Sequence, residues 1–259
     1  QGLASHRAGH LARAAEIYRE VLMLAPDQPD ANHLLGLVLH QRGNFDAAHP
    51  LLLRAAKLSP ASAMIQNNLG EVCRELGRYT EALQAYRKAL LLSPALPETQ
   101  RNIGLTLLAL ERTAEAVAML ETTHARHPDN PSVAWALGQA YAQQGTPEQA
   151  LTTLDKALTH SPDDGALLCA KGSALTQAGR LDDAEQHYES TLARHPQLAA
   201  AHYNLALLYQ RRGKTPEAIA SFERYLSLNP DDQGAAHQFA ALLNQTPERA
   251  PASYVREVF

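Results

Sequence analysis

A spacing of 34 residues runs through this chain and restricts what it can fold into. Pro26, Pro60, Pro94, Pro128, Pro162, Pro196 and Pro230 lie one period apart, and Ala14, Ala48, Ala82, Ala116, Ala150, Ala184 and Ala218 keep the same step. Glycine recurs at 2, 36, 70, 104, 138 and 172, with Ala206 in the last full copy. It recurs again at 9, 43, 77, 145, 179 and 213, where Glu111 is the departure. Counting Ala63 as position 1, Gln66, Leu69, Gly70 and Cys73 stand at 4, 7, 8 and 11, one stripe of an α-helix. Ala82, Tyr86, Ala89 and Leu90 form a second stripe at 20, 24, 27 and 28. Gly77 ends the first helix, and Thr80, with Glu81 behind it, is the expected cap of the second. Pro94 stops that helix, because proline lacks an N–H and clashes with the preceding turn. Small residues at 8 and 20 let the two helices cross closely. One hairpin cannot bury its own apolar face, whereas stacked copies can, so the period predicts a quasi-one-dimensional helical array without a single central core.

Leu-Gly, then alanine with an aromatic four residues on, then proline, at this period, resembles the tetratricopeptide-repeat (TPR) family. The resemblance implies an all-α, right-handed superhelical solenoid of helix–turn–helix repeats over 1–245. The repeats are a partial copy at 1–28, full copies at 29–62, 63–96, 97–130, 131–164, 165–198 and 199–232, and a capping helix at 233–245. Residues 246–259 read as a linker and the start of a following helix or domain. Pro50 falls past the first turn of a second helix and predicts a kink or a late start there. Repeat 97–130 is the loosest, with Glu111 at the turn, Thr113 replacing the aromatic, and Thr123 and His124 in the second stripe. Thr146-Pro147-Glu148 and Thr215-Pro216-Glu217 predict threonine caps with proline at the first helical position. The tail, TPERAP followed by YVREVF, is similar to the junction in bacterial proteins that join a TPR array to a class I S-adenosylmethionine-dependent methyltransferase. No methyltransferase residue is carried over, and the chain has no glycine-rich cofactor loop following a strand.

Lysine and arginine number 23 against 27 aspartates and glutamates, a net charge of −4, with no basic run. A nucleic-acid partner is therefore not expected. No apolar run is long enough for a membrane span. Cys73 and Cys169 sit three repeats apart at different phases and are not expected to bridge; a reduced, cytoplasmic setting fits both. Gln1 falls at position 7 of a repeat, so the chain reads as a fragment or a processed product. His6 and His10 are four apart but lack the third and fourth ligands that zinc needs. His127, His160 and His195 end second helices, where imidazole favours the helix dipole. No Ser/His/Asp arrangement is arguable. No catalytic residue, metal or cofactor is expected, and the chain is not expected to be an enzyme.

Function is expected in the first helices, which line the concave groove in arrays of this kind. Position 6 carries Asn68, Asn102 and Asn204, and position 5 carries Arg101, Trp135 and Tyr203. Asparagine offers a donor and an acceptor together, as a peptide backbone requires. The ladder resembles the peptide-holding asparagines of the O-linked N-acetylglucosamine transferase TPR array. That resemblance implies Asn68, Asn102 and Asn204 as peptide contacts, with Arg101, Trp135 and Tyr203 as anchors. The alternative reading makes the asparagines inter-repeat hydrogen-bonding residues and places Trp135 at the core edge. The chaperone-type carboxylate clamp takes Lys, Asn, Asn, Lys and Arg where this chain has His33, Leu37, Asn68, Glu98 and Asn102, so acidic chaperone tails are excluded. The expected partner is a protein or an extended peptide, with presentation of substrate to a fused methyltransferase as one use of the groove. The competing expectation is an assembly scaffold that self-associates through its terminal repeats or residues 252–259.

Overall fold

A computed structural model describes residues 1–244. The linker and helix expected at 246–259 lie outside the described residues, as does the last residue of the expected capping helix. The described residues form fifteen helices and divide into two compact units, one ending at Gln144 and one starting at Gly145.

In the first unit, α1 (Gly2–Arg7) pairs with α2 (Leu11–Leu24), α3 (Pro29–Gln41) with α4 (Phe45–Leu58), α5 (Ala63–Glu75) with α6 (Tyr79–Leu92), and α7 (Pro97–Ala109) with α8 (Thr113–Arg126); α9 (Pro131–Gln144) follows. Each second helix packs on the first helix of the next repeat, and α3, α5, α7 and α9 also touch one another in sequence. The first helices thus form one layer. In the second unit, α10 (Pro147–His160) packs on α11 (Gly165–Gln177), which pairs with α12 (Leu181–Arg194). There α13 (Ala199–Arg211) and α14 (Thr215–Leu228) form the next hairpin, and α15 (Gln233–Asn244) covers α14.

The repeating small residues account for the close pairing. The position-20 alanines are fully buried in both units. A methyl group added at Gly70 would come within 2.6 Å of the Tyr86 ring, and one at Gly104 within 2.6 Å of Leu120.

Gly77 shows why the turn favours glycine. Its φ is +70°, its N–H donates to the Arg74 carbonyl, and the next N–H, of Arg78, returns to Cys73 at 2.8 Å. Glu111 makes the same turn with φ +59°, the sole non-glycine residue at positive φ among the described residues. Its N–H donates to Leu108 at 3.0 Å and that of Arg112 to Leu107 at 2.9 Å. The hydrogen bonds hold the Glu111 backbone in a conformation that costs an L-residue roughly 1–2 kcal/mol. Glu111→Gly is therefore expected to raise stability by about 1 kcal/mol, less than the full strain because glycine also loosens the unfolded chain. A urea titration followed by circular dichroism would measure it.

Several local expectations are corrected. Thr80 is not the cap of α6; Arg78 is, and Tyr79 is the first helical residue, because the tight Gly77 turn feeds directly into the helix. Thr215 is likewise inside α14, with Lys214 as cap, whereas Thr146 caps α10 directly before Pro147. The late start at Pro50 does not occur. The Asn44 side chain accepts from the Ala47 N–H at 3.2 Å and starts α4 at Phe45, and the helix runs through the proline. Cys73 and Cys169 are both free and buried. Burial pushes each thiol up to about 11.

Candidate partner-binding face

The face is assembled from α3, α5 and α7. Proline opens α3 and α7 at their first turns, and the Ser62 hydroxyl caps α5 by accepting from the Ile65 N–H at 3.4 Å. Asn32, almost fully buried, donates to the carbonyls of Pro26 and Gln28, both at 2.9 Å, and anchors α3 to the loop before it.

Polar side chains join these helices from repeat to repeat. The Asn68 amide donates to Nε2 of His33 at 2.8 Å, linking α5 to α3. A neutral imidazole with its proton on Nδ1 makes this bond, and burial, opposed by the carboxylate of Asp30, lowers the His33 pKa. From α7, the Thr99 hydroxyl donates to Asn67 Oδ1 at 2.8 Å. Asn67 Nδ2 in turn donates to Glu71 at 2.9 Å, and the same carboxylate oxygen accepts from Asn102 Nδ2 at 3.1 Å. Arg101 completes the set by donating Nε and Nη2 to Asn102 Oδ1 at 3.2 and 2.8 Å. Glu71 is the hinge of this network.

Asn102 is 2 % exposed, with hydrogen bonds at both ends of its amide. Asn68 and Arg101 are half-buried, and Asn68 commits its Nδ2 alone. Trp135 is half-buried on α9, the helix that packs beside α7. Met64, in the first turn of α5, is 61 % exposed. The other two predicted contacts belong to the second unit. Tyr203 is half-buried, edge-on to Phe222 at 5.8 Å and tilted against Tyr225 at 5.0 Å, with its hydroxyl donating to Gln238 at 3.3 Å. Asn204, also half-buried, lies near the Tyr188 hydroxyl.

Sequence reasoning passed over Glu71 and Thr99. Both were readable in part: Glu71 is four residues after Asn67, so the two share one helical face, and Thr99 lies 32 residues beyond Asn67, on the adjacent first helix. Among the described residues, no helix is long and apolar enough to cross a membrane.

Comparison with known proteins agrees with this architecture. One family model described as tetratricopeptide repeat matches residues 1–57, 33–97 and 169–233, and a second with the same description matches 107–171. No curated protein sequence matches the chain. Among solved structures, a thermophilic TPR protein of Thermus thermophilus, TTC0263, is 27 % identical with a TM-score of 0.65, over 70 % of this chain and 99 % of that one. A TPR protein of Parabacteroides merdae is 15 % identical with a TM-score of 0.79, over 93 % and 96 % of the two chains. A chain of the APC/C Cut9-Hcn1 hetero-tetramer is 16 % identical with a TM-score of 0.71, over 93 % of this chain and 48 % of that one. With the 34-residue period, the crossing glycines and the paired helices all in place, this chain belongs to the tetratricopeptide-repeat family.

Proposed function

We propose that this chain, a member of a family of protein-interaction modules, holds an extended peptide or partner segment on the first-helix face of residues 1–144. Asn68, Arg101 and Trp135 make the contacts there, and Asn102 holds the Arg101 guanidinium in place. The observation that carries this reading is the hydrogen-bonded network from Thr99 through Asn67, Glu71 and Asn102 to Arg101, with the separate Asn68–His33 bond beside it on the same helices. Side chains already fixed lose less freedom when a ligand arrives, so more of each contact appears as affinity. The Asn68 carbonyl and the Arg101 guanidinium present an acceptor and donors suited to a peptide backbone, while Trp135 and Met64 supply apolar surface. In the second unit, Tyr203 and Asn204 are the proposed contacts. The similarity of the tail to a TPR–methyltransferase junction supports a finer reading, in which the held segment is substrate for a fused methyltransferase.

The test is a pull-down and titration with the N68A/R101A/W135A variant, which leaves the buried Asn102 untouched. Loss of one anchor and its neighbouring hydrogen bonds, about 3 kcal/mol together, is expected to weaken partner binding about 100-fold. Unchanged affinity in a folded variant would remove the face from consideration.

A second reading, an assembly scaffold, is favoured by a separate observation. Met23 and Leu24 at the end of α2 are 75 % and 90 % exposed, and Leu91 at the end of α6 is 83 % exposed. These residues share one end of the second helices. Self-association through them would appear in sedimentation equilibrium and disappear on L24E/L91E substitution.

A further inference from the structure

A different junction carries chemistry that the interaction reading does not use. His49 on α4, Cys73 on α5 and Glu81 on α6 bring an imidazole nitrogen, a thiol sulfur and a carboxylate oxygen within 4.8 Å of one another. The geometry points to a binding site for a borderline-soft divalent cation of the zinc type, held by His49, Cys73 and Glu81 with water completing the coordination.

Three observations support it. The first is the donor set. Imidazole, thiolate and carboxylate are the three protein ligands zinc takes, and three of them with one open position make a tetrahedral site. Metal–ligand bonds of about 2.0–2.3 Å place tetrahedral ligands about 3.3–3.7 Å apart. His49 Nε2 and Glu81 Oε2 are already 3.8 Å apart. The Glu81 side chain is 56 % exposed and that of His49 13 %, so the carboxylate can close the remaining gap and water can enter from its side.

The second is the contrast with the other repeats. His49 stands at position 21 of its repeat and Cys73 at position 11 of the next. Elsewhere the same two positions hold Ala15 with Leu39, Leu83 with Leu107, Val117 with Tyr141, Leu151 with Leu175, Glu185 with Tyr209, and Ile219 with Leu243. Only His49 with Cys73 joins an imidazole to a thiol there. In the second unit, the matching place is a cavity whose lining includes Leu151, Leu175, Arg180, Asp183 and His187; aliphatic side chains hold the positions of His49 and Cys73, and no cysteine is present.

The third is the orientation of the carboxylate. Arg112 and Arg180, at position 16, pair with the position-19 acids Glu115 and Asp183 at 2.7 and 2.8 Å. Arg78 occupies the same position, yet no such bond joins it to Glu81, whose carboxylate lies by His49 instead. The Arg78 guanidinium is still felt at His49 and Cys73 and opposes a dication. Binding releases the Cys73 thiol proton to solvent as sulfur takes the metal, while neutral His49 contributes a lone pair.

Cobalt(II) alone is the probe, added to the full chain carrying no affinity tag. A thiolate-to-cobalt charge-transfer band in the near ultraviolet, saturating at one equivalent and displaced by zinc, is expected in the native protein and in C169S. H49L and C73L restore the aliphatic residues of the other junctions, so both should stay helical by circular dichroism and lose the band. C73S serves in place of C73L if the latter does not fold. No band in the native protein, or a band that persists in the folded Cys73 variant, would overturn the site.

Discussion

Tyr86→Ala is expected to destabilise the protein by about 3–5 kcal/mol, the range for truncating a large buried aromatic. Tyr86 has no exposed surface, and its ring fills the space left by Gly70, where even a methyl group would sit 2.6 Å away. Alanine at 86 would leave a void bounded by two backbones that cannot collapse onto it. The same residue should respond in the opposite way to loss of its hydroxyl alone. The Tyr86 hydroxyl is buried without a hydrogen-bond partner, and the Nε of Arg74 is likewise unpaired. Burial, with the carboxylate of Glu71 adding to it and the Arg74 guanidinium opposing, drives the phenol pKa far up. Tyr86→Phe removes an unsatisfied buried group and is expected to be neutral or stabilising by up to about 1 kcal/mol. Tyr188 provides the contrast at the same phase. Its hydroxyl pairs with Ser173 at 3.1 Å and donates to the Cys169 carbonyl at 3.3 Å. Tyr188→Phe should therefore cost about 0.5–1.5 kcal/mol. Urea denaturation of the three variants would separate these effects.

The second large effect concerns Gly104 and Leu120. Leu120→Ala is expected to cost about 2–5 kcal/mol, because the side chain is fully buried and fills the α7/α8 crossing. Gly104→Ala on its own places a methyl 2.6 Å from Leu120 Cγ and 2.8 Å from both its δ carbons, at a cost of about 1–3 kcal/mol. This cost is net of the helix propensity that alanine gains over glycine, about 1 kcal/mol. Together the substitutions should cost less than their sum, since the new methyl occupies space the leucine leaves. A coupling of about 1–2 kcal/mol in a double-mutant cycle is the expected signature. Strict additivity would mean that the crossing relaxes freely and that the recurring glycine has some other cause.

The period made most of this fold readable. Gly70 and Ala82 had to be small because two helices cross there, and both contacts are where the 34-residue frame puts them. The helix starts were less readable. Thr80 looks like a cap by residue type, but the two backbone hydrogen bonds that close the Gly77 turn leave Arg78 at the cap position. The Gln28 and Asn44 caps, by contrast, use the ordinary side-chain chemistry. The late start expected at Pro50 does not occur because Asn44 fixes the start of α4 six residues earlier, and the helix runs on through the proline.

The candidate face was legible residue by residue but not as a network. Position counting placed Asn68, Arg101 and Asn102 on first helices. It could not show that the Asn102 amide is taken up by Glu71 and Arg101, because that depends on the offset between neighbouring helices. The cluster of His49, Cys73 and Glu81 was hidden for the same reason, since its members come from three helices of two repeats.

Site-specific photocrosslinking tests the central claim, that the first-helix face of residues 1–144 receives the partner. A photoreactive side chain is placed either at Asn68, which bonds His33 across the first helices, or at Leu91, on the exposed end of α6. Both proteins are irradiated in the same lysate, and the adducts are identified by mass spectrometry. The expected result is one discrete partner adduct from position 68, suppressed by R101A/W135A, with none from position 91. Adducts from position 91 alone, or a position-68 adduct indifferent to Arg101 and Trp135, would contradict it.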